Sequence, residues 1–373
     1  MAEIRPNPTL SDDLINEILL RVPVKSLLCF QLVCKTWLSL INDPAFVKAQ
    51  LLRANTVETD QVLIMNRFQR CEGDKISLLH IDSRQILADL KFPFECSQDA
   101  FWRIVGSANG IVCVAVDIHI YFWNPATRQS KLIPSYIGTC NELYGETLGF
   151  GYDPISHDFK VVRLALPPSV EVYSANKNVW RKVPDPIDDT PVHAKFDVCV
   201  NGFLCGIGCF GMVVFDLNKE VLNCAIKLPV HNYCYDCIIK FKNSIAFIII
   251  LNGLNDDDDD TDPRLCEKIS MWSLDDDACL RDGGVEPSWT IMFSIDFFNP
   301  DVFLELYLGY FNNGDLLLLI ETDGYKWISC NADRKEAKIF PLSVDMANHF
   351  YRRGDFFEYR ESLVSLAGFK KVN

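Results

Sequence analysis

Two patterns of hydrophobic positions divide this chain of 373 residues. In its first 50 residues, apolar side chains recur every three or four positions, which is the spacing of one helix face. After residue 54 that spacing disappears, and short alternating apolar runs separated by turn residues take over, as in β-strands. The pattern therefore predicts an α+β chain of two domains, with a small helical module at 1–50 and an all-β domain at 51–373.

The helical module is punctuated by capping and turn residues. Thr9, Ser11 or Asp12 can accept a hydrogen bond from a free backbone N–H and begin the first helix. Pro23 ends that helix, because proline lacks an N–H and restricts the residue before it. A second helical run starts near Ser26, and a third follows it. The apolar positions of these runs are Leu14, Ile15, Ile18, Leu19 and Val22, then Leu27, Leu28, Phe30, Leu32 and Val33, then Trp37, Leu40 and Ile41. Asn42-Asp43-Pro44 predicts a turn before a last short helix that reaches Leu52.

Three helices in about 40 residues enclose too little interior to bury all of this apolar surface. The surplus must meet either the rest of the chain or a partner. Periodicity alone leaves both alternatives open: a helical cap on the larger domain, or a docking module.

The motifs of this module resemble those of plant F-box domains. The matching stretches are Leu10 and the amphipathic helix after it, Arg21-Val-Pro23, Lys25-Ser-Leu-Leu28, Val33-Cys-Lys-Thr-Trp37 and Leu40-Ile-Asn-Asp-Pro-Ala-Phe46. The resemblance implies docking onto a Skp-type adaptor, which links to a cullin scaffold. Ser11 stands where the family usually has proline, so a rigid φ is exchanged for a capping hydroxyl. Carried over position by position, the docking face comprises Leu10, Ile15, Leu19, Pro23, Leu27, Leu28, Val33, Cys34 and Trp37.

The β domain shows an internal repeat. Six segments share an apolar strand that leads into turn residues: Ile76–Asp82, Ile120–Pro125, Val170–Ser174, Met212–Asp216, Ile269–Ser273 and Tyr325–Asn331. The turn residues of these segments are 42, 50, 42, 57 and 58 positions apart, close to the repeat of a propeller blade. In chain order they are Asp82, Asn124, Ser174, Asp216, Ser273 and Asn331. Asn-Gly pairs at 109–110, 201–202 and 313–314 predict tight hairpins, since a type I′ turn needs positive φ at both central residues. We therefore predict a β-propeller, with a sandwich as the alternative architecture.

The same region resembles the kelch-like F-box-associated domain of plant F-box proteins. The stretches that carry the resemblance are Gly106–Cys113, Trp123–Arg128, Gly149–Pro154 with Lys160–Val162, Val170–Tyr173 with Trp180-Arg181, Ser288–Thr290 and Glu361–Val364. The double glycine of each kelch blade is missing, which leaves the blade number open. The overall plan also resembles the S-locus F-box and S-locus-F-box-like proteins of pollen, which implies recognition of basic secreted ribonucleases in self-incompatibility.

Charge is distributed unevenly. The net charge is −14, and residues 1–50 contribute none of it, because five basic groups balance five acidic ones. Residues 251–300 hold thirteen acids against Arg264, Lys268 and Arg281. Such a surface repels nucleic acid and steers a basic protein toward it. The acidic run Asp256, Asp257, Asp258, Asp259 and Asp260 is the candidate target-binding segment, although acidic loops can also serve solubility alone.

The fifteen cysteines do not predict a secreted disulfide scaffold. The first apolar stretch is interrupted by Asn16, Glu17 and Arg21, so it does not fit a secretory signal. Many cysteines lie in apolar strand-like runs, where cysteine behaves as a small hydrophobe. No segment reaches the ~18 apolar residues that a membrane span needs. We therefore expect a cytoplasmic or nuclear protein with free thiols and no membrane partner.

Candidate chemistry is weak throughout. Cys234-Tyr-Asp-Cys237 with His231, and Cys205 with Cys209, could form a zinc site, but buried strand thiols explain them better. Asp256, Asp258, Asp260 and Glu267 follow the spacing of a calcium loop, yet Thr261 replaces the required glycine. No phosphate-binding or nucleophile motif is present. We expect no cofactor, no metal and no catalytic residue.

These observations predict the substrate-recognition subunit of an SCF-type (Skp–cullin–F-box) ubiquitin ligase. The helices would bind the adaptor, and the propeller would hold a protein target so that ubiquitin reaches its lysines. Its contribution would be proximity and specificity and not bond-making. The alternative is a propeller enzyme or lectin whose helices are only a cap.

Overall fold

The fold is known from a computed structural model of the chain. It describes residues 10–56, 62–67, 75–81, 83, 85–91, 94, 102–136, 147–165, 169–184, 195–208, 211–230, 236–252, 266–282, 285–296, 305–312, 315–322, 324–331, 334, 336–341 and 356–371.

The N-terminal module is helical, as the spacing predicts. Its helices are α1 (Asp12–Leu19), α2 (Val24–Phe30), α3 (Lys35–Ile41) and α4 (Pro44–Thr56). Pro23 precedes the first residue of α2, where a missing N–H costs nothing. The last helix continues past Leu52 to Thr56, so it is longer than expected. One further short helix, α5 (Ala278–Arg281), lies in the β domain.

The β domain is built from short strands. Their bounds are β1 (Val62–Arg67), β2 (Lys75–His80), β3 (Gln85–Leu90), β4 (Trp102–Ala108), β5 (Ile111–Val116), β6 (His119–Asn124), β7 (Gln129–Leu132), β8 (Thr147–Asp153), β9 (Asp158–Ala165), β10 (Ser169–Ser174), β11 (Val179–Val183), β12 (Lys195–Val200), β13 (Phe203–Gly208), β14 (Gly211–Asp216), β15 (Val221–Ile226), β16 (Asp236–Phe241), β17 (Ser244–Asn252), β18 (Cys266–Leu274), β19 (Trp289–Asp296), β20 (Glu305–Asn312), β21 (Asp315–Thr322), β22 (Gly324–Asn331), β23 (Glu336–Pro341), β24 (Phe356–Tyr359) and β25 (Lys370–Lys371).

In the described part of the chain these strands form six antiparallel sheets, the blades of a propeller. Blade 1 has the order β24-β1-β2-β3, and blade 2 has β4 to β7 in sequence with β25 added at the outer edge. Blades 3, 4, 5 and 6 are β8–β11, β12–β15, β16–β19 and β20–β23. Strand β4 contacts β8 and β24, and β12 contacts β8 and β16. The first strands of successive blades therefore surround a central channel, which settles the choice between propeller and sandwich.

The ring is closed by the C-terminal part of the chain. Strand β24 pairs antiparallel with β1, in a register that places Leu63 opposite Glu358 and Met65 opposite Phe356. Blade 1 therefore takes its innermost strand from one end of the β domain and its other strands from the opposite end. This pairing joins the two ends of the β domain within one blade, so the ring cannot open there without breaking strand pairing.

Tight hairpins define one face of the propeller. Asn109 and Gly110 have φ of 50° and 79°, and Asn201 and Gly202 have φ of 51° and 86°, which confirms the predicted positive-φ turns. These turns join the first strand of a blade to the second. Because strands alternate in direction, the turns between third and fourth strands lie on the same side, called here the hairpin face. Connections between second and third strands, and between blades, emerge on the opposite face. Asn313-Gly314 lies outside the described residues.

The six repeated segments each fall in the third strand of a different blade, namely β2, β6, β10, β14, β18 and β22. Asn124 and Asp216 end their strands and accept backbone N–H bonds in the following turns, as predicted. Ser273 does not: it pairs with Thr290 inside the ladder of β18 and β19, so its assignment as a turn residue is wrong. Asp82 lies outside the described residues.

The core lies between neighbouring blades. Successive residues of β9 illustrate it: Val161 packs with Phe122 and Phe150 in the cluster between blades 2 and 3, whereas Val162 packs with Phe215 in the next cluster. Strands buried on both faces read as continuous apolar runs. This explains sequences such as Ile245–Ile249, all of whose residues are buried.

Two tryptophans fasten blades to the connections beside them. Trp180, on the outermost strand of blade 3, donates from Nε1 to the Pro134 carbonyl at 2.7 Å. Trp289 occupies the equivalent strand of blade 5 and donates to the Lys227 carbonyl at 3.1 Å. A buried indole N–H needs such a partner. The two tryptophan-containing stretches of the sequence therefore make the same contact in two different blades.

A buried ionic network joins blades 3 and 4. The Lys160 ammonium lies 3.2 Å from Asp153 Oδ2 and 3.0 Å from Glu220 Oε1, and all three side chains are at most 6% exposed. Burial opposes ionisation of Asp153, but hydrogen bonds from Ser156, Asn218 and backbone amides outweigh it and lower its pKa to about 2. A depressed carboxyl pKa stabilises the fold above about pH 4, and this contribution is lost as the pH falls toward 2.

We expect Lys160→Met to destabilise the propeller, because it leaves the buried Asp153 carboxylate without its cation and leaves Glu220 with Arg181 alone. Removing one partner of a buried pair typically costs about 3–5 kcal/mol. The measurement is the denaturant midpoint, with Lys182→Met on the exposed side of β11 as the control. Equal midpoints for the two variants would contradict the assigned role of this network.

Candidate functional site

The first helix begins at the position where the sequence departs from the F-box pattern. Ser11 has extended backbone, and its Oγ accepts a hydrogen bond from the Leu14 N–H at 3.3 Å. Of the three capping candidates, Ser11 therefore supplies the bond. Asp12 and Asp13 lie in the first turn, where the helix dipole favours negative charge.

The helices share a small core. Leu19, Val24, Leu27, Ile41 and Phe46 are buried together. The cluster is completed from outside the module by Leu363, with Ala126 of blade 2 packed against it. One side of the module therefore packs on the propeller, as the cap alternative expects.

The other side of the module exposes large apolar residues. Leu32 is 88% exposed and Val33 is 63% exposed, in the turn between α2 and α3. Leu14 and Ile18 lie four residues apart on one face of α1 and are 46% and 44% exposed. Leu10 and Leu38 are also exposed. Apolar side chains concentrated in so small a module are typical of a protein-binding surface.

The nine residues expected at the adaptor surface fall into two groups. Leu10, Pro23, Val33 and Cys34 are exposed, and Ile15, Leu28 and Trp37 are half-buried. Leu19 and Leu27 are buried at 1% and 0%. They hold the helices together and present no surface, because the helical stripe that contains them faces the propeller.

Large exposed hydrophobic residues also occur outside the expected set. Leu14, Ile18, Leu32 and Leu38 are among the exposed large hydrophobic residues. Helical spacing already placed Leu14 and Ile18 on an apolar face, so a signal existed. It could not separate the buried half of that face from the exposed half.

The module is seated on the hairpin face by the C-terminal residues. Residues 360–369, called here the C-terminal strap, leave the innermost strand β24, cross blade 2 and lead to β25 at its outer edge. Glu361 forms an ion pair with Lys25 of α2 at 2.9 Å. Asn124 donates from Nδ2 to the carbonyls of Ser362 and Val364 at 3.0 and 2.8 Å. The strap therefore lies between the helices and the propeller.

The channel carries charged groups near the hairpin face. Lys240 of blade 5 and Arg360 both contact the Glu358 carboxylate of blade 1, each at 3.0 Å. Burial opposes ionisation of Glu358, but these two cations outweigh it and hold its pKa below the usual value. The Lys240–Glu358 pair links two inner strands that are not sequence neighbours, which supports the closed ring.

The strand ends that flank the acidic candidate segment lie on the opposite face. Asp256–Asp260 themselves lie outside the described residues, as does Thr261 of the rejected calcium frame. The segment connects Asn252 at the end of β17 with Cys266 at the start of β18. These are the second and third strands of blade 5, so both ends lie on the face away from the helices.

The cysteines buried in the propeller behave as packing residues. Cys113 and Cys205 are buried, and burial raises the pKa of both thiols. Cys209, Cys234 and His231 of the zinc alternative lie outside the described residues. Among the residues that are described, no group of three or more His, Cys, Asp and Glu side chains could hold a metal ion. Within the same residues, no helix is both long and apolar enough to cross a membrane.

Comparison with known proteins identifies both domains. The F-box domain matches residues 8–48, and the F-box associated beta propeller domain matches residues 63–279. The chain belongs to the F-box associated β-propeller family. Its helical module is the F-box, so the resemblance read from the sequence is confirmed.

Relatives with this plan occur in Arabidopsis thaliana. The F-box protein At1g47790 is 27% identical over 293 residues, which cover 73% of this chain and 70% of that protein. The F-box/kelch-repeat protein At3g23880 is 31% identical over 184 residues, covering 45% and 50%. The F-box protein CPR1 is 30% identical over 197 residues, covering 47% and 45%. None of these similarities points to the S-locus subfamily.

Burial assigns some leucines of the F-box to its core and others to its surface, and one substitution of each kind tests this assignment. We expect Leu27→Ala to destabilise the module by about 2–5 kcal/mol, because it leaves a cavity in the small core. Leu32→Ala should change stability by less than about 0.5 kcal/mol, since that side chain is largely in solvent. Hydrogen exchange of α1 to α3 measures both. Similar protection in the two variants would contradict the assignment.

Proposed function

We propose that this chain is the target-binding subunit of an SCF-type ubiquitin ligase. The observation that carries the proposal is the F-box itself: a helical module packed on the propeller from one side, with a free apolar surface on the other. A cap that served only the propeller would have no reason to keep Leu32 and Val33 in solvent. Docking onto a Skp-type adaptor, and through it onto a cullin scaffold, would cover this surface.

The adaptor-binding surface we propose is centred on Leu14, Ile18, Leu32 and Val33. The exposed or half-buried members of the expected set, Leu10, Ile15, Pro23, Leu28, Cys34 and Trp37, would extend it. Association would remove apolar area from water, which is the main source of affinity in such interfaces. Leu19 and Leu27 would support the surface from behind without touching the adaptor.

The target would bind the propeller on the face away from the F-box. The second-to-third strand connections and the connections between blades emerge there, and the strand ends that flank the acidic segment, Asn252 and Cys266, lie on this face. The composition of the acidic segment suits a basic protein, and a secreted basic ribonuclease is one target of this chemistry. Electrostatic attraction would raise the association rate and make binding salt-dependent.

The chain would contribute position and not chemistry. It would hold a lysine-bearing target on one side and the adaptor on the other, so that a ubiquitin-loaded enzyme on the scaffold reaches the target. Converting a bimolecular encounter into an intramolecular one is a large rate effect in itself. Buried thiols of raised pKa such as Cys205 are poor nucleophiles, which agrees with a receptor role.

The adaptor surface can be tested with an Ile18→Glu, Leu32→Asp double variant of the full chain. We expect its affinity for a Skp-type adaptor to fall by at least about tenfold, because charges would be buried at the centre of the interface. Binding is measured by titration of the purified proteins, and circular dichroism checks that the helices persist.

A matched control is Leu52→Asp on α4. Leu52 is 57% exposed but lies outside the proposed surface, so adaptor affinity should not change. Equal losses for control and double variant, or no binding by the wild type, would refute adaptor docking through this surface. In the second case the propeller enzyme or lectin alternative would have to be taken up.

The target face can be tested by charge reversal. We expect Asp257→Lys with Asp258→Lys to weaken binding of a basic ribonuclease and to flatten its salt dependence, because the attraction is removed. The control reverses Asp282 and Glu286, which are exposed on the hairpin face. If both pairs weakened binding equally, or neither did, the acidic segment would not be the recognition element.

A further inference from the structure

The C-terminal strap has more contacts with the rest of the protein than closing the ring requires. Ring closure needs only the pairing of β24 with β1. Beyond it, Ser362 is fully buried and Leu363 is 7% exposed. Ser362 lies against blade 2, and Leu363 belongs to the core cluster of the F-box. Two adjacent strap residues thus contact two different domains.

The blade 2 side of the strap is held by directed hydrogen bonds. Asn124 donates to two strap carbonyls at 3.0 and 2.8 Å, and Ser362 Oγ donates to the Asn109 carbonyl at 2.7 Å. The next residue, Gly110, has φ of +79°, and a Cβ there would lie 2.2 Å from Ser362 Oγ. Glycine is therefore required at this turn both for its backbone conformation and for the approach of the strap.

The F-box side is held by packing and charge. Leu363 packs among Leu19, Val24 and Leu27, and Glu361 pairs with Lys25. The exposed ion pair adds little energy by itself. It does, however, connect the strap directly to α2.

We infer that the C-terminal strap is the joint that sets the orientation of the F-box on the propeller, and that Asn124 is its positioning residue. The F-box is then not a flexibly tethered module. Resting on the proposed receptor function, this joint decides which lysines on the target side come within reach of the ubiquitin-loaded enzyme. Loosening it would broaden lysine choice without abolishing adaptor binding.

A turn elsewhere in the propeller shows which substitution of Asn124 would break its bonds to the strap while keeping its bonds within the turn. Asn124 Oδ1 accepts from the Ala126 and Thr127 amides at 3.0 and 3.2 Å. At the equivalent turn of blade 4, Asp216 Oδ1 accepts from the Asn218 and Lys219 amides at 2.8 and 2.9 Å. A carboxylate thus supports this turn. Asn124→Asp keeps the turn acceptor, removes both donors to the strap and places a negative charge against two carbonyls.

The first readout is hydrogen exchange of the full chain, which does not depend on any ligase function. For Asn124→Asp we expect exchange of strap and α2 amides to accelerate by on the order of tenfold, with blade 3 strands unchanged. Leu363→Ala, which acts from the F-box side, should accelerate the same amides. The controls are Asp216→Asn, the reverse exchange in blade 4, and Ser365→Ala at an exposed strap position. Neither should alter the strap or α2.

The joint would be disproved if strap and α2 amides exchanged at wild-type rates in both Asn124→Asp and Leu363→Ala. It would also be disproved if amide exchange accelerated in all blades together, because the strap would then contribute only to the stability of the propeller. Failure of wild-type adaptor binding, in contrast, would overturn the proposed receptor role while leaving the exchange result interpretable.

The second readout tests the positional consequence in the reconstituted ligase. Mass spectrometry would map which propeller lysines of the receptor itself acquire ubiquitin. We expect a restricted set in the wild type and a wider set in Asn124→Asp, with adaptor affinity within about threefold of wild type. If hydrogen exchange shows a loosened strap but the set of ubiquitin-bearing lysines is unchanged, the strap does not position the F-box. If Asn124→Asp also loses its affinity for the adaptor, the F-box itself has unfolded.

Discussion

The pairing of β24 with β1 is the constraint from which the rest of the architecture follows. The last segment of the β domain returns to its first sheet, and this pairing holds the two ends of the ring together. Because β24 enters blade 1 as the innermost strand, the chain leaves it at the channel on the hairpin face. It must then cross a blade to reach the rim. That crossing is the strap, and the F-box rests on it.

This arrangement divides the molecule into two faces with different chemistry. Apolar side chains of the F-box lie on the hairpin side, where the strap and blade 2 support the helices from behind. The ends of the most acidic connection lie on the other side. A receptor needs this separation, because the adaptor and the target must be held at once without competing for one surface. In this view the propeller serves as a spacer as well as a binding platform.

The fold could be predicted from the sequence to an unusual extent, for identifiable reasons. Strands buried on both faces and turns such as Asn109-Gly110 are local features, so they predict the blades without knowledge of the partners. Ser11 could be recognised as a cap for the same reason. The recurrence of the six repeated segments once per blade follows from their spacing, although Ser273 shows that an insertion can mislead the alignment of repeats.

The candidate site was less accessible to sequence analysis, because it depends on contacts between distant residues. Leu19 shares the helical spacing of Leu14 and Ile18 on α1, and only its packing with Leu27, Ile41 and Leu363 distinguishes core from surface. More than two hundred positions separate Asn124 from the strap carbonyls that it binds. Helical periodicity has no information about such a contact, so the joint between the domains could not be foreseen.

The most direct test of this account is the structure of the full chain bound to a Skp-type adaptor, determined by cryo-electron microscopy of the assembled ligase. The account predicts that the adaptor covers Leu14, Ile18, Leu32 and Val33 while Ser362 remains hydrogen-bonded to Asn109 beneath the F-box. An adaptor that binds another surface, or an F-box that separates from the strap on binding, would contradict it.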